Sequence, residues 1–286
     1  MDERVDAATT NVVSEIRQLF EKFSGRAGFF ARDLNSDRTL SLRPRDTFPT
    51  ASMIKLPILV ELFWQVQNGQ QRLADEEVIS GEAHVGGSGI LRHLTPGIRL
   101  PVRDVAHLMM SVSDNTATNL LIDRVGFAAV NKRMRVLGCP GLVLHRKINF
   151  NPEPGAPKYI GTGNPEEFVG LLEKVWRKEI LNPAACEEMI RMMDGVGSER
   201  AGRYLAINPY AEELGDADAE ERVFFVGKTG AVNGVRGQVA IVSGKRVAFS
   251  LAIMTEDCQD LSWSVDNEGN LLAARLGKLL FDYFRG

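Results

Sequence analysis

The stretch that most restricts how this chain can fold runs from Leu56 to Trp64. Leu56, Ile58, Leu59, Val60, Leu62, Phe63 and Trp64 leave Glu61 as its only charge, and Pro57 is tolerated only near a helix start. A helix that is apolar on nearly every side must be covered on nearly every side. The run therefore predicts a central helix beginning close to Ser52, with other elements packed around it. Just ahead of it stand Ser52 and Lys55. Three residues apart on a helix, their side chains share one face. A hydroxyl and an amine are thus expected together at the edge of a core.

A serine hydroxyl becomes a working nucleophile only when a neighbour takes its proton. A lysine can do so when burial or nearby positive charge lowers its pKa. Backbone N–H groups at a helix start can steady the oxygen of an attacked carbonyl. The pair alone is not diagnostic. Ordinary residue usage produces S-x-x-K about once in a chain of this length, and a capping serine with a solvent-reaching lysine is the plain alternative.

Periodicity orders the rest. Val12, Val13, Ile16, Leu19, Phe20 and Phe23 predict a first helix, and Gly28–Leu34 with Thr39–Leu42 predict a hairpin around Asn35-Ser36-Asp37-Arg38. Helices are expected over Val102–Val112, Asn115–Val125, Val130–Leu137, Pro165–Val175 and Pro183–Met193. Strands are expected over Arg222–Val226, Gln238–Val242 and Arg246–Met254, with Gly244-Lys245 turning between the last two, and Leu271–Phe284 reads as a closing helix. Glu213–Glu221 reads as a solvated acidic loop. Gly86-Gly87-Ser88-Gly89 lacks the Gly-Lys-Ser/Thr ending of a phosphate loop and reads as a flexible edge or linker. Leu142–Gly163, rich in Pro, Gly and Asn, is too long for a plain connector and is expected to be functional.

The fold class implied is α/β of the α+β type. N- and C-terminal strands form an antiparallel sheet flanked by the terminal helices, and an all-helical half is inserted between them. Residues 1–50 and 200–286 make the sheet half, 51–199 the helical half, and the two together form one catalytic domain. With 44% hydrophobic residues the chain can fill such a core, while a net charge of −3 offers no basic field for nucleic acid. No apolar run is long enough for a membrane span. Cys139, Cys186 and Cys258 are widely spaced with no C-x-x-C, and His84, His93, His107 and His145 show no ligand spacing, so neither a metal nor another cofactor is expected. One disulfide would leave a thiol over. Met1-Asp2-Glu3-Arg4 opens without the apolar stretch of a signal peptide. The chain as written reads as cytoplasmic, and a periplasmic or secreted location would require a removed leader.

Two further tripeptides give the first pair its meaning. Ser113-Asp114-Asn115 falls between two predicted helices, and Lys228-Thr229-Gly230 ends a predicted strand. S-x-x-K, S-D-N and K-T-G in that order are the signature of class A β-lactamases and penicillin-binding proteins. From about Gly28 to its C-terminus the chain resembles the penicillin-recognising serine hydrolases, and among them the class A β-lactamase-like branch. The resemblance implies that Ser52 is the acylated nucleophile, that Lys55 takes or relays its proton, and that Ser113 passes a proton to the leaving nitrogen. It implies that Asn115 binds the substrate's side-chain amide, and that Lys228 attracts the substrate carboxylate and depresses the Lys55 pKa. Thr229 would hydrogen-bond that carboxylate, with Arg236 as the carboxylate-binding arginine. The N–H groups of Ser52 and Ala231 would form the oxyanion hole, and Gly230 would let the strand approach the substrate closely.

The sequence departs from this family at one place. The glutamate that activates the deacylating water would fall near Ile148, which has no basic atom. Glu153 is the nearest carboxylate, several residues late, and is the candidate base; Asn149 or Asn151 could only position a water. The expected substrate is a small molecule, a β-lactam hydrolysed with slow deacylation. The same nucleophile would also serve a D-Ala-D-Ala peptidase or a small-ester hydrolase. A non-catalytic binding domain of the same fold is the reading from a different class.

Overall fold

The structure is a computed structural model that describes residues 7–205, 207 and 223–286. The predicted acidic loop, Arg222 and most of the segment before them lie outside the described residues.

Helix α1 (Ala7–Glu21) leads into strand β1 (Arg26–Asp33) and strand β2 (Thr39–Leu42), the expected hairpin. Its turn is fastened by Asp33, whose carboxylate accepts the Asn35 N–H and the Ser36 hydroxyl. At the other end come β8 (Phe224–Val232), β9 (Val235–Gly244), β10 (Val247–Glu256) and α8 (Glu268–Arg285). The five strands form one antiparallel sheet in the order β2-β1-β10-β9-β8. The chain therefore leaves the sheet after β2 and re-enters it at β8, with everything between lying outside it.

Both faces of the central strands are covered, so β1, β9 and β10 are buried along most of their length. Alternate residues point to opposite sides. Phe29, Ala31, Ala240, Val242, Phe249, Leu251 and Ile253 pack with α1 and α8 through Val12, Ile16, Leu276 and Leu280. Phe30, Val226, Val239, Ile241, Ala252 and Met254 face the other way, against the helical part of the molecule.

That part is built around α2 (Lys55–Gln67), which follows one tight helical turn, Ala51–Ile54. Leu56, Ile58, Leu59, Val60 and Leu62 are fully buried, each contributing about 2 kcal/mol through its burial. The one charge in the run is neutralised. Glu61 meets the Arg133 guanidinium at 3.0 Å and accepts the Gln65 amide at 2.8 Å, while Arg133 lies 3.6 Å over the Trp64 ring. Around α2 stand α3 (Val102–Ser111), α4 (Asn115–Val125) and α5 (Phe127–Val136); α6 (Pro165–Trp176) lies on the sheet against β1, β9 and β10, and α7 (Pro183–Met193) packs on α2, α3 and α6. Asn164 and Asn182 cap the last two, each with proline in the first turn.

Two small sheets complete the fold. β4 (Glu76–Ile79) pairs with β5 (Ile98–Pro101). β3 (Phe48–Pro49), β7 (Gly161–Gly163) and β6 (Val143–Leu144) form a second. The latter ties both ends of the long irregular loop to the segment that enters Ser52. Cys139, Cys186 and Cys258 are buried free thiols, and no helix among the described residues is long and apolar enough to cross a membrane.

Candidate active site

Ser52 lies in the tight turn ahead of α2, where backbone N–H groups have no intrahelical partner. The residue before it, Ala51, has φ +43°, a left-handed conformation that a side chain disfavours. The Thr50 N–H, bonded to the Gly161 carbonyl at 3.1 Å, anchors this turn from one side. From the other side β8 presses on it. A Cβ on Gly230 would lie 2.5 Å from the Thr50 carbonyl and 3.1 Å from the Ser52 nitrogen. Only glycine lets the strand so close. The K-T-G segment thus does not end the strand, as the sequence predicts, but runs inside it to Val232 and lies directly beside Ser52.

Lys55 is wholly buried, one turn on. Its Nζ donates toward the Ser113 carbonyl at 2.8 Å, and it lies 3.0 Å from Ser113 Oγ and 3.1 Å from Asn115 Oδ1. Ser113 holds φ +54° between α3 and α4, a second strained non-glycine residue at this site. Asp114 keeps it there. Its buried carboxylate accepts the Ala117 N–H at 2.9 Å, capping α4, and the Ile90 and Leu91 N–H groups at 2.7 and 2.8 Å. The glycine-rich segment is therefore not a loose edge. The Asn115 Nδ2 and N–H donate to the carbonyls of Gly86 and Ser88 at 2.8 and 3.0 Å, and the segment is bound to S-D-N along its length.

Lys228 is also wholly buried, its Nζ donating to the Thr229 carbonyl at 3.1 Å. Burial, then the neighbouring Arg200 charge, lower its pKa to about 7 against the opposing pull of Glu199. Burial, then the charge of Lys228, hold the Lys55 pKa well below the ordinary lysine value despite Asp114. Thr229 is half-buried against Gly197, with Ala231 half-buried further along the strand.

Arg236 is not brought to this cluster. Its guanidinium donates to the carbonyls of Val232, Val235 and Ser262 at 2.8, 2.8 and 2.6 Å and lies 5.0 Å from the Trp263 ring centre, on the side of the sheet where α8 begins. The arginine beside Lys228 is Arg200, whose Nη1 donates to the Gly230 and Gly237 carbonyls at 3.1 and 2.7 Å. Burial lowers its pKa to about 10. Sequence reasoning missed it, because its only signal is a Glu-Arg pair in a glycine-containing connector.

The long loop is laced to the helices. The Ile148 carbonyl accepts the Asn119 amide at 2.8 Å and its N–H donates back at 2.9 Å. The Arg146 guanidinium donates to the carbonyls of Lys147, Asn149, Pro157 and Lys158. Glu153 lies beyond this anchored stretch, exposed, on a turn closed by the Ala156 N–H to its carbonyl at 3.0 Å.

A serine in a tight helical turn, a buried amine bonded to a second serine, a second buried amine and a strand backbone alongside make an arrangement suited to acyl transfer. Known proteins share the fold that holds it. A β-lactamase from Sphaerobacter thermophilus superposes with a TM-score of 0.81 at 25% identity, covering 94% of this chain and 95% of its own. A mutant of PBP-A, captured as an acyl-enzyme complex with penicillin G, gives a TM-score of 0.79 at 27% identity over 96% of both chains. The β-lactamase regulatory protein BlaB of Streptomyces cacaoi is 24% identical over 86% of this chain and 89% of its own length. The sequence profile of the β-lactamase enzyme family matches residues 11–284, and the chain belongs to that family.

Proposed function

We propose that this protein is a serine hydrolase of the class A β-lactamase type that β-lactams acylate on Ser52 and that releases the acyl group slowly. The observation that carries the reading is the setting of Lys55: buried, close to a second buried cation, and in contact with Ser113 and Asn115. A neutral amine has two N–H donors and one lone pair. Two of its three contacts are carbonyl oxygens, which take the donors, so the lone pair is left for the third, the Ser113 hydroxyl, through which we route the Ser52 proton. Lys55 is then the base. It takes the Ser52 proton as Oγ attacks the lactam carbonyl, and the N–H groups of Ser52 and Ala231 receive the oxyanion. When the C–N bond breaks, Ser113 gives its proton to the ring nitrogen and recovers one from Lys55. Asn115 binds the acyl side-chain amide. Lys228, Thr229 and, in place of Arg236, Arg200 supply the field for the substrate carboxylate.

Slow release follows from the loop. The position bonded to Asn119 carries Ile148, which cannot deprotonate a water, and Glu153 sits on an exposed turn beyond the anchored stretch. Release therefore lacks a base held in place. The same feature favours a second reading, a peptidase or esterase whose natural acyl group leaves more readily than a penicilloyl group. Turnover of nitrocefin against p-nitrophenyl esters separates the two.

Mass spectrometry after incubation with benzylpenicillin tests the proposal. Wild-type protein is expected to gain the mass of one intact penicillin and to keep it long after free drug is removed, while Ser52→Ala gains none. An unmodified wild type, or the same adduct on Ser52→Ala, overturns it.

A further inference from the structure

Gln238 is wholly buried in β9, beside Val239, Ala240 and Ile241. A buried amide is costly unless both its ends are bonded, and here both are. Its Nε2 donates to the Gly197 carbonyl at 2.7 Å, and its Oε1 accepts the Ala201 N–H at 2.9 Å. Neither partner belongs to the sheet. Both lie in the turn over 197–201 that follows α7, so the amide clasps that turn at its two ends. The fit allows no side chain at 197. A Cβ on Gly197, at φ +82°, would lie 2.5 Å from Gln238 Nε2 and 2.6 Å from Thr229 Cγ2. Thr229 is the residue opposite Gln238 in the β8–β9 ladder.

Arg200 is carried between the two clasped points. Its Nη1 donates to the carbonyls of Gly230 and Gly237, which are also opposite one another. At these glycines the sheet meets the Ser52 turn: a Cβ on Gly230 would lie 3.1 Å from the Ser52 nitrogen, and one on Gly237 would lie 2.5 Å from Met53 Sδ. The charged groups that bear on Lys228 are Arg200 and Glu199 from this turn and Lys55 from α2.

We propose that Gln238 is a positioning residue: by fastening the 197–201 turn to β9 it holds the Arg200 guanidinium on the Gly230 and Gly237 carbonyls, beside Lys228. Its importance for acylation rests on the function proposed above; the positioning itself does not. Arg200 weighs more on Lys228 than Glu199 does and lowers the pKa of that amine, so a freed turn should let it rise.

NMR titration of isotope-labelled lysine, followed through the Cε signal that Lys228→Met lacks, reads Lys228 directly. Wild type should titrate near pH 7. Gln238→Met, which keeps the volume and loses both bonds, should titrate about one unit higher. Gly197→Ala, which keeps the amide and drives the turn off it, should move the same way. On an Arg200→Ala background, Gln238→Met should add nothing, because the route through Arg200 is already cut. The alkaline limb of benzylpenicillin acylation should follow the same shifts. A Lys228 titration unmoved in both single variants, or a Gln238→Met shift that persists without Arg200, overturns the proposal. If benzylpenicillin fails to label wild-type Ser52 while the titrations move as expected, the acylation reading falls and the positioning stands.

Discussion

The roles proposed for Lys228 and Lys55 need opposite protonation states at the same pH. Lys55 must be neutral to take a proton, whereas Lys228 must be charged to draw a carboxylate. Their surroundings separate them: each is buried, and the charge of Lys228 depresses Lys55 further. The Lys228 pKa of about 7 then sets an alkaline limit. As pH rises through that value the free protein loses the cation that greets the substrate, so the second-order rate of acylation by benzylpenicillin should fall with a limb centred near pH 7. Lys228→Arg keeps its charge across the range, and its limb should move beyond about pH 9 even though its rate is lower. Stopped-flow or quenched-flow acylation rates between about pH 5.5 and 9 measure both profiles. A flat wild-type profile above neutrality would exclude Lys228 from that role.

At the scale of elements, the site is where short and irregular pieces meet regular ones, and this division decides what was legible. Helices α1 and α8 carry their periods plainly, and α2, β9 and β10 show as apolar runs; the fold class follows from them. The residues of S-x-x-K, S-D-N and K-T-G were legible as words, but their adjacency is not local: it depends on a bare Cα at Gly230 and on left-handed residues at 51 and 113. β3, β6 and β7, two or three residues long, are too short for any period to register. β4 and β5 hide behind charged residues and pair across a long insertion. Arg200 is legible only once β8 and β9 are side by side. The long loop shows what such placement implies. Asn115 and Asn119 are four apart on α4 and share one face. Asn115 touches Lys55, while Asn119, one helical turn further on, holds Ile148. On the proposed function, a carboxylate at 148 would supply the missing base for the deacylating water. Ile148→Glu should shorten the lifetime of the benzylpenicillin adduct by about a hundredfold, a usual gain from general-base catalysis, with little effect on how fast the adduct forms. Mass spectra taken over time after removal of free drug give that lifetime, and an unchanged value would place the missing base elsewhere.

Across the whole molecule, the reactive cluster lies where β8 closes the sheet and the sheet meets the helices around α2. Lys55 and Lys228 are there at no measurable exposure, between an apolar core and the buried polar groups of Asp114, Asn115 and Gln238. Such groups make a site work and make the fold less stable. The sign of the effect on stability is fixed by the direction of the pKa shift. In the unfolded chain Lys228 keeps its proton up to the ordinary lysine value, whereas in the folded protein it loses it at about 7. Between those two values the unfolded state binds the extra proton, so the contribution of this residue to stability rises with pH. Below about 7 the full penalty of burying the charged amine is in force. Lys228→Met keeps the stem and removes the charge. Its midpoint of thermal unfolding should exceed that of wild type by about 5 °C at pH 6, which for a chain of this size corresponds to about 2 kcal/mol. The advantage should shrink toward pH 9, where the folded wild type has shed the Lys228 charge and with it the repulsion of Lys55. Melting curves followed by circular dichroism at the two pH values measure it, alongside the loss of penicillin labelling that the variant must also show. An advantage independent of pH would mean that the methionine gains by packing alone, and a variant less stable than wild type at pH 6 would mean that the Lys228 amine strengthens this core.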